Sequence, residues 1–334
     1  MTSTARGSAT RRFAATPFTL GTRFFAWSVV GTLFAFLLNV YLSFWRDWPG
    51  PAAAFKSGVP FLAQLQLALY ALAVAGPAAY VLLTRGRSLR ADDAVMTRIA
   101  AYIAAAAFWC VLLVGVADAA ISFLRVEGLL ETIFSHALAQ DLGRNAFRAP
   151  YVHGPLIVAS LVLAATVRTP GFTWLALLVV IAELQIVISR FVYSYEQAFM
   201  GDLVRMWYAG LFLFSSAYTL IEEGHVRVDV FYTNFSARKK GLVNALGSLL
   251  LGLPLCWTIL ILGMSEKASI ITSPLLALEV TQSGFGMYIK YLMAAFLAVF
   301  AVTMMIQFAA YILESVADWR GDPGKRKGEP VGAH

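Results

Sequence analysis

The sequence predicts an all-α, polytopic helical membrane protein of about eight transmembrane helices plus one interfacial amphipathic helix. Three observations carry that expectation. Of 334 residues, 59% are apolar and 13% are charged, where soluble domains run nearer about 45–50% and about 25%. The charges gather in short patches between long runs that carry almost none. Those runs approach or exceed the roughly 20 residues a helix needs to cross a hydrocarbon core about 30 Å thick. The pattern excludes an ordinary soluble enzyme, a disordered chain and a nucleic-acid binder, despite the formal net charge of +7.

In chain order the spans are expected at 25–45, 60–84, 99–124, 150–167, 172–189, 203–221, 242–264 and 291–313. The first follows a basic, polar tail and is a full-length run rather than a short signal-peptide core, so it is expected to be retained. The fourth is short and contains Pro155, which leaves a half-buried or re-entrant segment as an alternative to a full span. Arg168-Thr169-Pro170-Gly171, a charge followed by a turn dipeptide, separates it from the fifth. Inside the eight runs the side chains that carry or can carry charge are Asp118, His153, Glu183 and Arg205. The alternating segments of about ten residues that mark a transmembrane β-barrel are missing.

Lys and Arg set the orientation, because cytoplasmic loops are enriched in them. Placing the 26 basic residues on alternate sides puts 17 with the N-tail, the 85–98 loop, Arg168, the 222–240 loop and the C-tail, and 9 on the other side. Both termini are therefore expected in the cytoplasm. The same excess favours anionic headgroups, so the bilayer itself is an expected partner.

Outside the spans, residues 127–144 place Leu130, Ile133, Phe134, Ala137, Leu138 and Leu142 at helical spacing and read as one amphipathic helix in the outer interface. Val226, Val228 and Val230 alternate with Arg227 and Asp229, which suggests a short extended piece. The loop 265–286, with Pro274, Gly284 and Gly286, is expected to be irregular and exposed. The chain after Trp319 reads as a disordered basic tail. Trp27, Trp45, Trp48, Trp207, Trp257 and Trp319 are expected mostly near membrane interfaces.

Enzymatic chemistry finds no footing. Cys110 and Cys256 sit singly in apolar runs, and the four histidines are scattered, so neither a disulfide framework, a metal site nor haem is expected. Asp118 and Glu183 lie in different spans, and no histidine is expected beside either. The chain is not expected to be an enzyme, and no cofactor is expected. Glu183, with Gln185 close by and Arg190 seven residues on, is the most prominent intramembrane polar spot, and an ionisable group there is a functional candidate. A stand-alone ion-coupled carrier or channel with its own pathway near Glu183 is the alternative to the reading that follows.

The second half is specific. Ser189-Arg190-Phe191-Val192-Tyr193-Ser194-Tyr195, the span opening Gly201-Asp202-Leu203-Val204-Arg205-Met206-Trp207, and Ala217-Tyr218-Thr219-Leu220 lead into Gly224-His225-Val226-Arg227-Val228-Asp229. The basic patch Arg238-Lys239-Lys240 and two further spans follow. Together these resemble the small membrane subunit (DctQ-like) of tripartite ATP-independent periplasmic (TRAP) transporters, over roughly 172–315. A typical member has four spans; the first half is additional. The resemblance implies a scaffold in the bacterial inner membrane that braces a large permease subunit carrying the sodium and substrate sites. It also implies a periplasmic binding protein that delivers a small organic anion such as a carboxylate. His225, Arg227 and Asp229 match the family signature, and with Glu183 and Arg205 they are the candidate subunit-contact or loop-ordering residues; Arg205 also stands three residues after Asp202, the spacing of a local ion pair. The expected organisation is an N-terminal membrane extension (1–150), a short additional span and turn (151–171), the four-span DctQ-like domain (172–315) and the tail (316–334).

Overall fold

A computed structural model describes residues 16–56, 58, 60–167, 172–196, 198–221, 232–280 and 286–324. In chain order its helices are α1 (Pro17–Trp45), α2 (Phe61–Leu83), α3 (Leu89–Val126), α4 (Leu130–Ile133), α5 (His136–Leu142) and α6 (Asn145–Thr166). They continue with α7 (Phe172–Val192), α8 (Ala198–Ile221), α9 (Ala237–Met264), α10 (Thr272–Ala277) and α11 (Lys290–Arg320). No strand occurs among the described residues. Side-chain oxygens start several of them: Thr16 accepts from Thr19 N at 3.3 Å, Ser88 from Ala91 N at 3.2 Å and Ser236 from Lys239 N at 3.4 Å. Each satisfies a backbone donor that the first helical turn leaves unpaired.

Two helices contain a π-turn directly before a proline. Gly154 N–H reaches back to Ala149 O before Pro155, and Leu253 N–H to Ser248 O before Pro254. A proline ring collides with the carbonyl four residues earlier in a regular helix. Widening the turn moves that carbonyl aside and lets α6 and α9 continue. Pro155 therefore does not cut its segment short. The helix Asn145–Thr166 has 22 residues, enough for a full crossing, as against a re-entrant piece.

Seven of the helices are both long and apolar enough to span a bilayer: α1, α2, α3, α6, α7, α9 and α11. The eighth crossing is α8. It has 24 residues, but Asp202 and Arg205 in its first turns and Ser215 and Ser216 farther on dilute its apolar character. Geometry requires it to cross. Arg320 Nη1 at the end of α11 donates to Thr16 Oγ1 at the start of α1 at 3.0 Å. The first and last helices thus meet at one face, and only an even number of crossings allows that. Trp207 Nε1 donates to Val111 O at 3.3 Å, and Asp202 Oδ2 accepts from Met287 N at 3.0 Å, so α8 runs antiparallel to α3 alongside the start of α11.

Helix α11 is the hub. It is buried along most of its length, from Tyr291 to Ala317, by α3, α8, α9 and α1. Arg90 at the start of α3 binds Asp318 near the end of α11 at 2.7 Å, and approaches Glu314 at 3.9 Å. At the opposite end, Asp118 of α3 accepts from Tyr288 N, just before α11, at 2.8 Å. The two helices are therefore antiparallel and joined at both ends by charged groups. At a rise of about 1.5 Å per residue, Arg90 and Asp118 stand about 42 Å apart along α3. That exceeds a hydrocarbon core of about 30 Å, so both groups of charges fall near its edges or beyond them.

Several expectations need correction. The spans run longer than expected at most ends, most of all in α3, which has 38 residues and starts ten residues before the apolar run. Residues 127–144 form α4 and α5, not one helix, because Phe134 turns extended and Ser135 caps a new start. Leu130 and Leu142 face inward as the spacing predicts, whereas Ile133, Ala137 and Leu138 are exposed and Ala139 is buried instead. The 265–286 loop is not wholly irregular: α10 packs Ile271 beneath Gly263 and ends in a left-handed Leu278 (φ 48°). At that end Lys267 pairs with Asp47 at 2.8 Å and holds the exposed Asp47 carboxyl below its usual range. The tail does not begin at 316. Helix α11 continues to Arg320, Gly321 (φ 76°) caps it, and Arg90 binds the carbonyls of Asp322 and Pro323. Residues 325–334 lie outside the described residues. Trp207 is buried against Gly115 and does not face lipid.

Close helix contacts rest on glycine. A Cβ on Gly241 would come within 2.5 Å of Ser315 O and 2.7 Å of Trp319 N, and one on Gly31 within 2.5 Å of Ala73 O. All three neighbours are backbone atoms, which cannot swing aside. Small residues of this kind let membrane helices approach where apolar burial alone gives no preference over lipid. Gly241→Val is expected to lower stability by about 1–3 kcal/mol through overpacking. Gly247→Val, which would meet nothing within 4 Å, should have little effect on packing. Thermal unfolding of both variants in the same detergent checks the contrast.

Candidate functional site

The most developed polar site joins the additional N-terminal helices to the start of α11. Asp118, Arg148, His153 and Ser122 are fully buried at its centre. Asp118 Oδ1 accepts from Arg148 Nη1 at 2.9 Å and from His153 Nε2 at 3.1 Å, while Oδ2 takes Tyr288 N–H. A carboxylate only accepts, so the proton on His153 sits on Nε2. In the neutral imidazole Nδ1 then accepts the Tyr291 hydroxyl at 2.7 Å, and the two rings stack at 5.9 Å. Arg148 Nη1 also reaches Ser122 Oγ at 3.1 Å, and Nε donates to Leu142 O. Its Nη2 has no partner among the described residues.

Tyr288 completes the arrangement. Its ring lies 4.3 Å from the Arg148 guanidinium and 4.6 Å from that of Arg125, and its hydroxyl donates to Gly143 O at 2.9 Å. Arg125 Nη2 in turn donates to Gly286 O at 2.8 Å. Two cations over one aromatic ring use its negative faces, an interaction of about 2 kcal/mol or more where water is excluded. Every element here has a local reason to be present. The π-turn Ala149–His153 lets α6 pass Pro155 with its backbone hydrogen bonds intact, and His153 closes that turn against α3. Asn145 Nδ2 donates to Leu278 O, which ties α6 to the end of α10.

A second buried pair lies at the Thr16 end. Arg23 Nε donates to Asp92 Oδ2 at 2.7 Å, its Nη1 and Nη2 donate to Thr84 O and Oγ1, and Tyr80 OH reaches Asp92 Oδ1 at 3.1 Å. Arg87 caps it from the surface at 2.7 Å. This pair locks α1, α2 and α3 together.

The residues singled out from sequence are placed differently. Glu183 is exposed on α7, whose contacts within the chain are chiefly to α8. Arg190 pairs with Glu196 at 3.8 Å, not with Glu183. Arg205 is exposed and forms the expected local contact to Asp202 at 3.4 Å. His225, Arg227 and Asp229 lie outside the described residues. The expectation that no histidine accompanies Asp118 is overturned by His153. The two are 35 residues apart and meet because α3 and α6 form an antiparallel pair, which spacing alone does not reveal. The available signal was that Asp118, Arg148 and His153 all fall near one end of adjacent antiparallel runs. No group of three or more metal-ligating side chains occurs among the described residues.

The arrangement can fix helix ends and position the 286–290 segment; Asp118 and His153 have their polar atoms committed to protein partners. Eight crossings, an apolar exterior and buried charge clusters gathered at two levels define a polytopic integral membrane protein. Residues 175–318 match the family model described as tripartite ATP-independent periplasmic transporters, DctQ component. This part of the chain, α7 to α11, is similar to the DctQ component, and α1 to α6 precede the matched residues. Neither the curated proteins nor the solved structures compared gave a match.

Asp118→Ala would leave Arg148 buried without its counter-charge, a loss of about 3–5 kcal/mol. Adding Arg148→Met removes the orphaned charge and is expected to recover much of that loss. Thermal melts of the single and double variants test the coupling; equal melting temperatures for the two would refute it.

Proposed function

We propose that the chain is the small membrane subunit of a TRAP-type secondary transporter. In this reading it braces a large permease subunit for sodium-driven uptake of a small organic anion, a carboxylate, delivered by a periplasmic binding protein. It acts in a bacterial inner membrane with both termini cytoplasmic. The observation that carries the proposal is the DctQ match over α7 to α11.

Two features support it. Glu183 is turned outward on a helix that chiefly α8 covers among the described residues, as a contact to another subunit would have it. A self-contained pathway would place that carboxyl inside the bundle. Arg23, Arg87, Arg90, Arg238, Lys239, Lys240 and Arg320 all stand at the Thr16 end, in keeping with a cytoplasmic face there.

A tagged chain isolated in mild detergent should carry a larger polytopic partner with it. Uptake by this chain reconstituted alone would sink the scaffold reading. Arg227→Glu is expected to reduce partner recovery while the chain still inserts, and Glu183→Ala to do the same from the α7 face. Undiminished recovery with either variant would remove that residue from the interface.

A further inference from the structure

An apolar groove of about 540 Å³ runs along the Thr16 end of the bundle between α1, α9 and α11. Gly21 and Thr22 form one wall, Leu242, Ala245 and Leu249 the second, and Val316 part of the third. Phe18 and Trp319 also line it and meet edge to face at 5.6 Å. Small residues on α1 leave the space open, and Gly241 draws α9 onto α11 beside it.

The groove is basic at one end. Arg238 and Lys239 precede Leu242 by four and three residues, so they lie over the same face one turn closer to the start of α9. Both are exposed. The Arg238 guanidinium is about 4 Å from where a Cβ on Gly321 would stand, and Arg320 meets the start of α1 through Thr16. The acidic groups nearby are already engaged: Glu314 and Asp318 face Arg90, and Asp322 faces Arg320 at 3.6 Å. Two helix N-termini, of α1 and α9, add positive potential at the same level.

The occupant must be apolar along its length and anionic at its end. We propose that the groove holds an acyl chain of an anionic phospholipid, with the phosphate against Arg238 and Lys239. Basic sites between membrane helices hold such headgroups by charge, and the buried chain adds apolar contact. The site does not depend on the transporter reading: it would exist whether or not a large subunit is bound.

The test is native mass spectrometry of the full-length chain with phosphatidylglycerol and phosphatidylcholine of identical acyl chains in competition. Preferential retention of phosphatidylglycerol is expected. Arg238→Ala with Lys239→Ala should cut the retention ratio about tenfold or more, since each basic group near an anionic headgroup contributes a factor of about five. Arg98→Ala, at the same end but away from the groove, should leave the ratio unchanged. Leu246→Trp, which fills the groove, should lower retention of both lipids. Equal retention of the two lipids by the unaltered chain, or an unchanged ratio in the double variant, would overturn the proposal. A photo-crosslinking residue at position 246 provides a second readout. Adducts of lipid mass support the assignment, and adducts of protein mass show that a partner helix is seated there instead.

Discussion

Inside a bilayer the hydrophobic effect does not press one helix against another, because lipid tails are as apolar as a neighbouring leucine. The contact between α3 and α11 therefore depends on what lipid cannot offer: close packing along the middle and charge at the two ends. Arg90 with Glu314 and Asp318 closes one end, and Asp118 with His153, Arg148 and Tyr288 closes the other. Shifting α3 along α11 by one turn, about 5.4 Å, would break both at once. Register is fixed at both ends simultaneously, and α1, α8 and α9 then pack on a pair that cannot slide.

Both clusters lie where burial of charge is least costly. The deep interior penalises an ion pair by more than mutual attraction returns unless every lone pair and proton is used. Asp118 meets that condition with three donors, one of them a backbone N–H. Arg148 comes close, with one nitrogen left over. Such a network contributes less to net stability than to uniqueness: few other pairings of α3, α6 and α11 would satisfy the same groups. It also spans the boundary between the DctQ-like segment and its extension, so the two halves are one packed body and not a domain with an appendage.

Crossings were legible in the sequence because a bilayer demands about 20 apolar residues, and that demand is local. What failed was non-local or depended on a single backbone group. Helix α3 extends ten residues beyond its apolar run because Ser88 caps it and Asp92 and Asp93 find burial. The break at Ser135 turned on one side-chain oxygen. The His153–Asp118 contact needed knowledge of which spans are neighbours, and periodicity does not carry that. Glu183 was visible as an ionisable group in an apolar run, but its outward placement was not, since α7 is apolar all round.

The hydrogen bond from Arg320 to Thr16 has a topological meaning beyond the count of crossings. It brings the first and last helices together, so the path from α1 to α11 is very nearly a closed ring. The extension and the DctQ-like segment are joined in sequence only between α6 and α7, whereas in space they share the whole α3–α11 seam. Order along the chain is thus nearly independent of the packed arrangement. A short linker from α11 to α1 and an opening between α6 and α7 would place the DctQ-like half first and the extension second. The same packed body would form from either starting point on the ring.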